Sequence, residues 1–407
     1  MKVLIEQYNE LRKKYANIYK REIFESFNSG FRLRGIVGNR GVGKTTYLFY
    51  YLNKYYKNSD KALYVSADNL YFSNNSLIDL VKKFRKEYDG KLLCIDEIHR
   101  YPNWSQELKN IYDQNLDFEI IFSGSSAVDI IEQKYDLSRR AILKTMPGFS
   151  FREYLEFKYE MKLPRFTLEE IIDNRIKIDN KITDIAKLQG LFKEYLKIGY
   201  YPVFSEFKTE EDVFEAVSGI IDKMINIDLA NYFSLKTETL PLFKKILYFV
   251  FTSEPGSINT ARIAKSLGKS HPDTDRYLEM LRRSGLVRYL LNDRIGHAMI
   301  RNAEKVYLND PSMMYSLGYM IGKETNIGSV REIFVLNQLK MAGYRVFSSK
   351  KGDMLISLDK KDIVIEIGGA NKTMKQIAGV KNAYLVLDDD IYGSKFTIPL
   401  YLFGFLY

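Results

Sequence analysis

Residues 38–45 have the types and the spacing of a phosphate-binding loop. They read Gly-Asn-Arg-Gly-Val-Gly-Lys-Thr and fit the pattern G-x-x-x-x-G-K-[ST] at every position. Glycines let backbone N–H groups turn toward phosphate oxygens, and a helix that begins at the loop adds its dipole. We predict that Lys44 reaches the β- and γ-phosphates and that Thr45 binds Mg²⁺. The residues predicted to bind the nucleotide are Gly38, Asn39, Arg40, Gly41, Val42, Gly43, Lys44, Thr45 and Thr46.

A second acidic motif follows further along the chain. Residues 92–97 read Leu-Leu-Cys-Ile-Asp-Glu, an apolar strand that ends in two acids, which is the Walker B pattern. Phosphoryl transfer needs a bound metal ion and a positioned water molecule. We expect Asp96 to hold the Mg²⁺ shell and Glu97 to polarise the attacking water.

Two further groups of residues could act on the γ-phosphate. Ser123 ends an apolar strand and is predicted to contact the γ-phosphate or the water, with Ser125 as the alternative; a serine here could also simply cap a helix. Arg139 and Arg140 could supply a catalytic arginine, in cis or from a neighbouring subunit, or could form a solvated turn.

The elements around these motifs indicate the fold class. Apolar strands are predicted at 31–37, 62–66, 91–96 and 119–124, and helices are predicted between them. Alternation of this kind predicts an α/β protein with a P-loop NTPase parallel sheet and helices on both faces.

Composition limits the class of protein. The 407 residues carry a net charge of +10 and include one cysteine, Cys94, so the chain can form no internal disulfide and no zinc site built on cysteines. No apolar run approaches the about 18 residues of a membrane span. A cytoplasmic protein is expected. The positive charge fits contact with polyanions, or it is ordinary surface charge.

Changes in pattern along the chain predict four parts. They are a P-loop ATPase domain at 1–157, a helical lid or linker region at 158–250, a winged helix-turn-helix at 251–326 and a nuclease-like α/β domain at 327–407.

The third part contains a helix-turn-helix pattern. Residues 258–305 hold ten basic and five acidic residues, a net charge of +5, and resemble a winged helix-turn-helix. Such a unit could bind DNA phosphates and enter the major groove through residues 257–305. Asp273 and Asp275 near the start of the second helix weaken base reading, and winged helices also serve as protein-packing modules.

The last part carries acids whose spacing resembles the PD-(D/E)xK nuclease core. They are Glu332 on a helix, Asp353 at the start of a strand and Glu366 on the next strand, followed by Gln376 on a helix over 372–379. The lysine expected two residues after the second acid is replaced by Gly368, and Lys372 and Lys375 lie out of register. We therefore predict a fold kept for structure or binding, with cleavage by a relocated lysine as the alternative.

Taken in order, the motifs resemble the prokaryotic AAA+-related P-loop ATPases that carry a C-terminal domain of unknown function. The segments that support this resemblance are 38–46, 95–99, 123–126, 138–140, 147–154, 199–202 and 305–310. The resemblance spans nearly the whole chain and implies ATP rather than GTP and an AAA-like fold.

These observations together predict an enzyme that hydrolyses ATP with Mg²⁺ and drives a conformational switch or motor acting on DNA. The alternatives are a signal-type ATPase that gates protein interactions and an ATP-regulated nuclease. A homo-oligomer is compatible with the sequence, because AAA-like sites often lie at subunit interfaces, and no membrane partner is expected.

Overall fold

The computed structural model describes most of the chain. The described residues are 1–28, 30–57, 59–124, 137, 139–179, 185–254, 258, 260–292, 303–358, 361–390 and 392–407. They divide into two compact units, Met1–Gly148 and Phe149–Tyr407. Among these residues, no helix has both the length and the apolar character needed to cross a membrane.

Five strands of the first unit form one parallel sheet. They are Leu33–Val37 (β1), Ala62–Ser66 (β2), Leu92–Asp96 (β3), Glu119–Gly124 (β4) and Ala141–Thr145 (β5). Their order is β2-β3-β4-β1-β5, and each neighbouring pair is parallel. The carboxyl ends of β1, β3 and β4 therefore lie side by side at one edge of the sheet.

Helices flank this sheet. They span Lys2–Lys14 (α1), Ile23–Ser26 (α2), Lys44–Tyr55 (α3), Leu77–Tyr88 (α4) and Trp104–Gln114 (α5). Most of the buried positions along α4 recur at helical spacing, so a continuous apolar stripe faces the interior. The predicted P-loop NTPase fold is confirmed.

The second unit begins with a helical region. Its helices are Phe151–Tyr159 (α6), Leu168–Asp179 (α7), Ile185–Glu194 (α8), Glu210–Lys223 (α9), Ala230–Tyr232 (α10) and Leu240–Thr252 (α11). A wider π-helical turn at Tyr195–Gly199 continues α8. A β-carbon at Gly199 would lie 2.4 Å from the Tyr195 ring, so the close packing here requires glycine.

Two helices and an antiparallel strand pair follow. They are Thr260–Leu267 (α12), His271–Ser284 (α13), Val287–Leu291 (β6) and Ala303–Leu308 (β7). Ser270 caps α13 through the Asp273 amide, and Gly285 ends it with a φ of 80°. The order of these elements is the one predicted for a winged helix-turn-helix. Residues 293–302, between the two strands, lie outside the described residues.

The chain ends in a mixed α/β region. Its helices are Pro311–Ile321 (α14) and Ile327–Met341 (α15), and its strands are Arg345–Ser348 (β8), Met354–Ser357 (β9), Asp362–Gly368 (β10), Ala383–Leu387 (β11) and Thr397–Pro399 (β12). The sheet order is β12-β11-β10-β9-β8. β8, β9 and β10 pair antiparallel, and β10, β11 and β12 pair parallel.

Two local predictions for this region are wrong. The helix expected over 372–379 is a single 3₁₀ turn, Met374–Ile377, because only Ile377 of the turn is buried and one side chain cannot anchor a longer helix. The apolar end of the chain is the 3₁₀ turn Leu400–Phe405 rather than a strand. A short apolar run that is buried on all sides has no periodicity from which the element could be inferred.

The first unit ends earlier than the boundary predicted after residue 157. Residues 150–157 pack within the second unit, where the Ser150 hydroxyl donates to the Tyr407 carbonyl at 2.8 Å and the Phe151 ring lies 6.0 Å from that of Phe405. These partners are far away in sequence, so local pattern could not reveal them. The four-part division of the chain stays a prediction.

Candidate functional site

The glycine-rich loop joins β1 to α3 at the carboxyl edge of the sheet. Gly43 precedes α3 with a φ of 99°, a left-handed conformation that glycine adopts without strain. A β-carbon at Gly38 would lie 2.4 Å from the Met146 carbonyl oxygen, so no larger residue fits there. The loop therefore presents its backbone at the amino end of α3, where the helix dipole favours anions.

A buried arginine ties this loop to the end of the first unit. The Arg21 guanidinium donates to the carbonyl oxygens of Val42 at 3.2 Å, Pro147 at 2.8 Å and Gly148 at 2.8 Å. Sequence reasoning missed this role, because a single arginine between two short helices carries no local signal.

Lys44 is the first residue of α3, directly after the loop, and is almost completely buried. Its Nζ donates to the carbonyl oxygens of Gly38 at 2.9 Å and Asn39 at 2.8 Å. Phosphate oxygens can replace neutral carbonyl partners of this kind, because they bind an ammonium group more strongly.

Asp96 accepts hydrogen bonds from three hydroxyl groups. Thr45 Oγ1 and the Tyr64 hydroxyl donate to its Oδ2 at 2.6 and 2.9 Å, and Ser123 Oγ donates to its Oδ1. The backbone amide of Glu97 donates to Oδ1 at 3.1 Å. The structure thus brings together Thr45, Asp96 and Ser123, which the sequence singled out separately.

Tyr64 is the member of this group that sequence reasoning missed. It lies on β2, opposite Cys94 of β3, and on an apolar strand a tyrosine is typical of an ordinary core residue. Burial, and next the Asp96 carboxylate, raise the pKa of Tyr64 well above its usual value. The tyrosine therefore stays protonated and can act only as a donor to Asp96.

Glu97 follows Asp96 in a left-handed conformation with a φ of 52°. Its amide also approaches Ser123 Oγ at 3.3 Å. Its carboxylate Oε2 lies 3.5 Å from Arg40 Nη2 and 3.4 Å from His99 Nε2. The predicted general base therefore faces a cation from the phosphate-binding loop.

Arg139 and Arg140 lie at the opposite edge of the sheet. They precede β5, which pairs with β1 in the register Leu33↔Ala141 to Val37↔Thr145, and the loop follows Val37. Five strand residues at about 3.3 Å each separate the two edges by about 16 Å. Arg140 instead donates to the Asp113 carboxylate at 2.8 and 2.9 Å. A role in cis for either arginine is therefore wrong; action on a neighbouring subunit stays a prediction.

The alternative sensor Ser125 lies outside the described residues, as do 126–136 and 138. Thr46 follows Thr45 in the first turn of α3, and Gly41 has a left-handed φ of 79° within the loop. The roles of all these residues toward a nucleotide stay predictions.

The nuclease-like acids lie in the second unit among lysines. The Tyr307 hydroxyl donates to Glu332 Oε2 at 2.5 Å, and Lys305 Nζ lies 3.3 Å from the same oxygen and 3.4 Å from Asp353 Oδ1. Burial, and next the Asp353 carboxylate, raise the pKa of Glu332. Asp353 Oδ2 also accepts from the Ile367 amide at 2.8 Å.

Glu366 has its own lysine. Its carboxylate is fully buried on β10, and Lys372 Nζ lies 2.5 Å from its Oε1. A β-carbon at Gly368 would lie 2.7 to 2.9 Å from the Lys372 side-chain carbons, so the lysine stem fills the space beside that glycine. Lys372 is out of register in sequence, six residues after Glu366, yet its side chain reaches that carboxylate. Gln376 lies exposed on the 3₁₀ turn.

The second helix of the predicted winged helix balances its own charge. Three arginines and three acids lie on α13. Glu279 pairs with Arg282 at 2.6 Å and Arg283 at 3.1 Å, and Asp275 lies 3.1 Å from His271. In the described part of the chain, no group of three or more His, Cys, Asp or Glu side chains is arranged to hold a metal ion.

Family comparisons agree with the geometry of the first unit. Residues 31–155 match the family model of the AAA domain, and this span includes the loop, Asp96, Glu97 and Ser123. These residues therefore form a P-loop domain related to the AAA+ ATPases. Residues 189–326 match a domain of unknown function, DUF8612. Neither match reaches residues 327–407.

Two proteins of Methanocaldococcus jannaschii are similar over most of the chain. Uncharacterized protein MJ1637 is 28% identical over 402 residues, which cover 92% of this chain and 84% of that protein. Uncharacterized protein MJ1544 is 24% identical over 359 residues, which cover 85% and 74%.

Among solved structures, the AMPPCP-bound DnaA from Aquifex aeolicus is 18% identical in sequence. The match covers 67% of this chain and 86% of the DnaA chain, with a TM-score of 0.28.

Proposed function

We propose that this protein binds ATP with Mg²⁺ and hydrolyses it at the carboxyl edge of the first sheet. The observation that carries the proposal is the hydrogen bond from Thr45 to Asp96, made beside a loop in which Lys44 donates to the carbonyl oxygens of Gly38 and Asn39. A hydroxyl and a carboxylate next to a phosphate-binding loop are the protein ligands that Mg²⁺ takes in P-loop sites.

The donor set of the site fits a hard cation. Thr45 and Asp96 offer oxygens, which Mg²⁺ prefers, and the hydrogen-bond donors that contact Asp96 are all neutral. Its negative charge is therefore available to a cation. Bound Mg²⁺ would neutralise charge that develops on the phosphates.

Each side chain has a defined proposed task. Lys44 binds the β- and γ-phosphates, and Ser123 orients Glu97 and the water. Glu97 accepts the proton as the water oxygen bonds to the γ-phosphorus, and the bond from that phosphorus to the β–γ bridging oxygen breaks. The products are ADP and inorganic phosphate.

We further propose that hydrolysis drives a conformational switch or motor that acts on DNA through residues 257–305. The net positive charge of this segment supports the proposal. Because Arg282 and Arg283 of α13 already pair with Glu279 on the same helix, the expected contact is with DNA phosphates and not with base edges. The same pairing of charges within α13 supports the alternative, a signal-type ATPase in which α12 and α13 bind a protein. If a neighbouring copy of the chain supplies an arginine to the site, the protein acts as a homo-oligomer in either case.

Phosphate release from Mg-ATP with and without DNA tests the function. Wild type should hydrolyse ATP, DNA should accelerate the reaction, and Lys44→Ala should lower the rate by about two orders of magnitude or more, as expected for loss of a phosphate-binding charge. Lys61→Ala is the matched control, because Lys61 is an exposed lysine that pairs with Asp89 at 2.9 Å. Nucleotide binding without any DNA effect or DNA retention would contradict the DNA-dependent scheme and favour the signal-type ATPase.

Cleavage of DNA is a second candidate because Lys372 reaches Glu366. A supercoiled plasmid incubated with Mg²⁺ or Mn²⁺ tests it. Nicking by wild type that is absent in Glu366→Ala would support a nuclease, and an intact plasmid with both proteins would remove the idea.

A further inference from the structure

Arg40 is the arginine of the phosphate-binding loop that contacts the predicted general base. Its Nη2 lies 3.5 Å from Glu97 Oε2, and both side chains are only partly exposed. The loop that carries Arg40 also carries Lys44 and Thr45. The guanidinium therefore lies beside the phosphate-binding backbone, on the side of the loop that faces Glu97.

The backbone of Glu97 is held independently of its side chain. Its amide donates to Asp96 Oδ1 and lies within reach of Ser123 Oγ, and its carbonyl accepts from the Arg100 amide at 2.8 Å. A left-handed φ at a residue other than glycine is strained, and such strain persists where surrounding contacts enforce it. The direction of the Glu97 carboxylate is thus left to its side-chain partners, of which Arg40 and His99 are two.

A γ-phosphate would compete with Glu97 for Arg40. A phosphate with two or more charged oxygens accepts paired hydrogen bonds from a guanidinium, which is the arrangement arginine favours. The contact with Glu97, at 3.5 Å and partly open to solvent, is a weak ion pair by comparison. The terminal phosphate is the group that distinguishes ATP from ADP.

We propose that Arg40 is the γ-phosphate sensor of the site and the positioning residue for Glu97. Without a γ-phosphate it holds the Glu97 carboxylate; with ATP bound it turns to the γ-phosphate and releases Glu97 toward the attacking water. This inference rests on the proposed ATPase function. It gives the site an arginine in cis, the part that Arg139 and Arg140 cannot play from the opposite edge of the sheet.

Affinities for two nucleotides test the sensing step in the full-length chain. Arg40→Gln should bind a non-hydrolysable ATP analogue about tenfold more weakly than wild type, the loss expected for a hydrogen bond to a charged group, and should bind ADP within about twofold of wild type. Arg85→Gln is the control, because Arg85 also forms a partly exposed ion pair, with Asp117 at 2.8 Å, on a helix outside the loop. An unchanged ratio of the two affinities in Arg40→Gln would overturn the inference.

A double-mutant cycle tests the contact with Glu97. Glu97→Gln should tighten binding of the analogue about two- to fivefold when Arg40 is present, because Arg40 no longer has to leave an ion pair. In the Arg40→Gln background the same change should have no effect. A merely structural role for Arg40 would not produce this dependence, so equal effects of Glu97→Gln in both backgrounds would count against the proposal.

Turnover separates this inference from the proposed function. Arg40→Gln should lower kcat about tenfold or more while leaving ADP inhibition unchanged, and Arg40→Lys should recover part of the rate, since it keeps the charge without the paired donors. If wild type hydrolyses ATP and Arg40→Gln is fully active, only this inference is overturned. Wild type that discriminates ATP from ADP through Arg40 without hydrolysis overturns only the ATPase proposal.

Discussion

The two acid-containing sites of this protein differ in the charge of their partners. In the first unit, Asp96 is surrounded by neutral donors, namely three hydroxyl groups and one amide. In the second unit, the ammonium of Lys305 bridges Glu332 and Asp353. Both sites have carboxylates beside hydroxyl donors, yet a lysine ammonium contacts Glu332 and Asp353, whereas the side-chain and amide donors to Asp96 are uncharged.

This difference affects what each site can bind. When the hydrogen-bond donors to a carboxylate are neutral, no neighbouring cation compensates its negative charge. An incoming cation then gains the full electrostatic attraction of the carboxylate. A carboxylate paired with lysine is already compensated, and a metal ion must first displace the ammonium. Counting acids is therefore a poor guide to metal sites, and the charge of the nearest partners is a better one. The comparison favours Mg²⁺ at Asp96 and a structural or binding role for the acids of the second unit.

The largest effect is expected from removing the charge of Asp96. Asp96→Asn keeps the shape and one acceptor oxygen, but we expect it to lower the rate of Mg-ATP hydrolysis about a thousandfold, because the metal ion contributes several kcal/mol to phosphoryl transfer. Phosphate release measured over a range of Mg²⁺ concentrations checks this. Asp117→Asn, in an exposed ion pair of the same unit, is the control. A rate that recovers fully at high Mg²⁺ would show weakened affinity alone.

Asp310 tests what neutral donors do in a closed interior. It accepts from the Tyr201 hydroxyl at 2.8 Å, the Met313 amide at 3.0 Å and Asn309 Nδ2 at 3.3 Å, and burial raises its pKa from 3.8 to about 6. Because the folded state holds the proton more tightly, this group favours folding at low pH, and the contribution is lost as pH rises through about 6.

Asp310→Asn should therefore remove a pH dependence. Asparagine cannot ionise and still caps α14, so between pH 4 and 7 the free energy of unfolding of wild type should fall by about 2.5 kcal/mol relative to the variant. Urea unfolding at several pH values measures this difference. Parallel curves for the two proteins would mean that Asp310 ionises without cost and that the neutral donors suffice.

The smallest effect is expected from removing the lysine that bridges two acids. Lys305→Met leaves Glu332 facing Asp353 and should lower the free energy of unfolding by about 2 kcal/mol, less than for a fully buried pair because Lys305 is partly exposed. Millimolar Mn²⁺ should restore part of this loss and leave wild type unchanged. Lys361→Met, at an exposed lysine, is the control. A Mn²⁺-dependent shift in wild type would remove the distinction between the two sites.

Much of the first unit could be predicted from local sequence. The strands at 33–37, 62–66, 92–96 and 119–124 are short apolar runs, and the glycine-rich loop has a fixed spacing, so both leave a signal within a few residues. The chemistry of Lys44, Thr45 and Asp96 is likewise carried by residue type. In the second unit, short segments such as 374–377 and 400–405 leave no such signal, and the predicted elements were wrong there.

The sequence by itself determined the motifs and their order, whereas the tertiary structure decided which of them meet. The parallel pairing of β5 with β1 put Arg140 at the edge away from the loop, and the pairing of β2 with β3 placed Tyr64 beside Asp96. Side-chain direction brought Arg40 to Glu97 and carried the Lys372 stem across Gly368 to Glu366. The physical reason is that periodicity and spacing act along a few residues, while contacts between distant elements depend on strand pairing and packing across the whole unit.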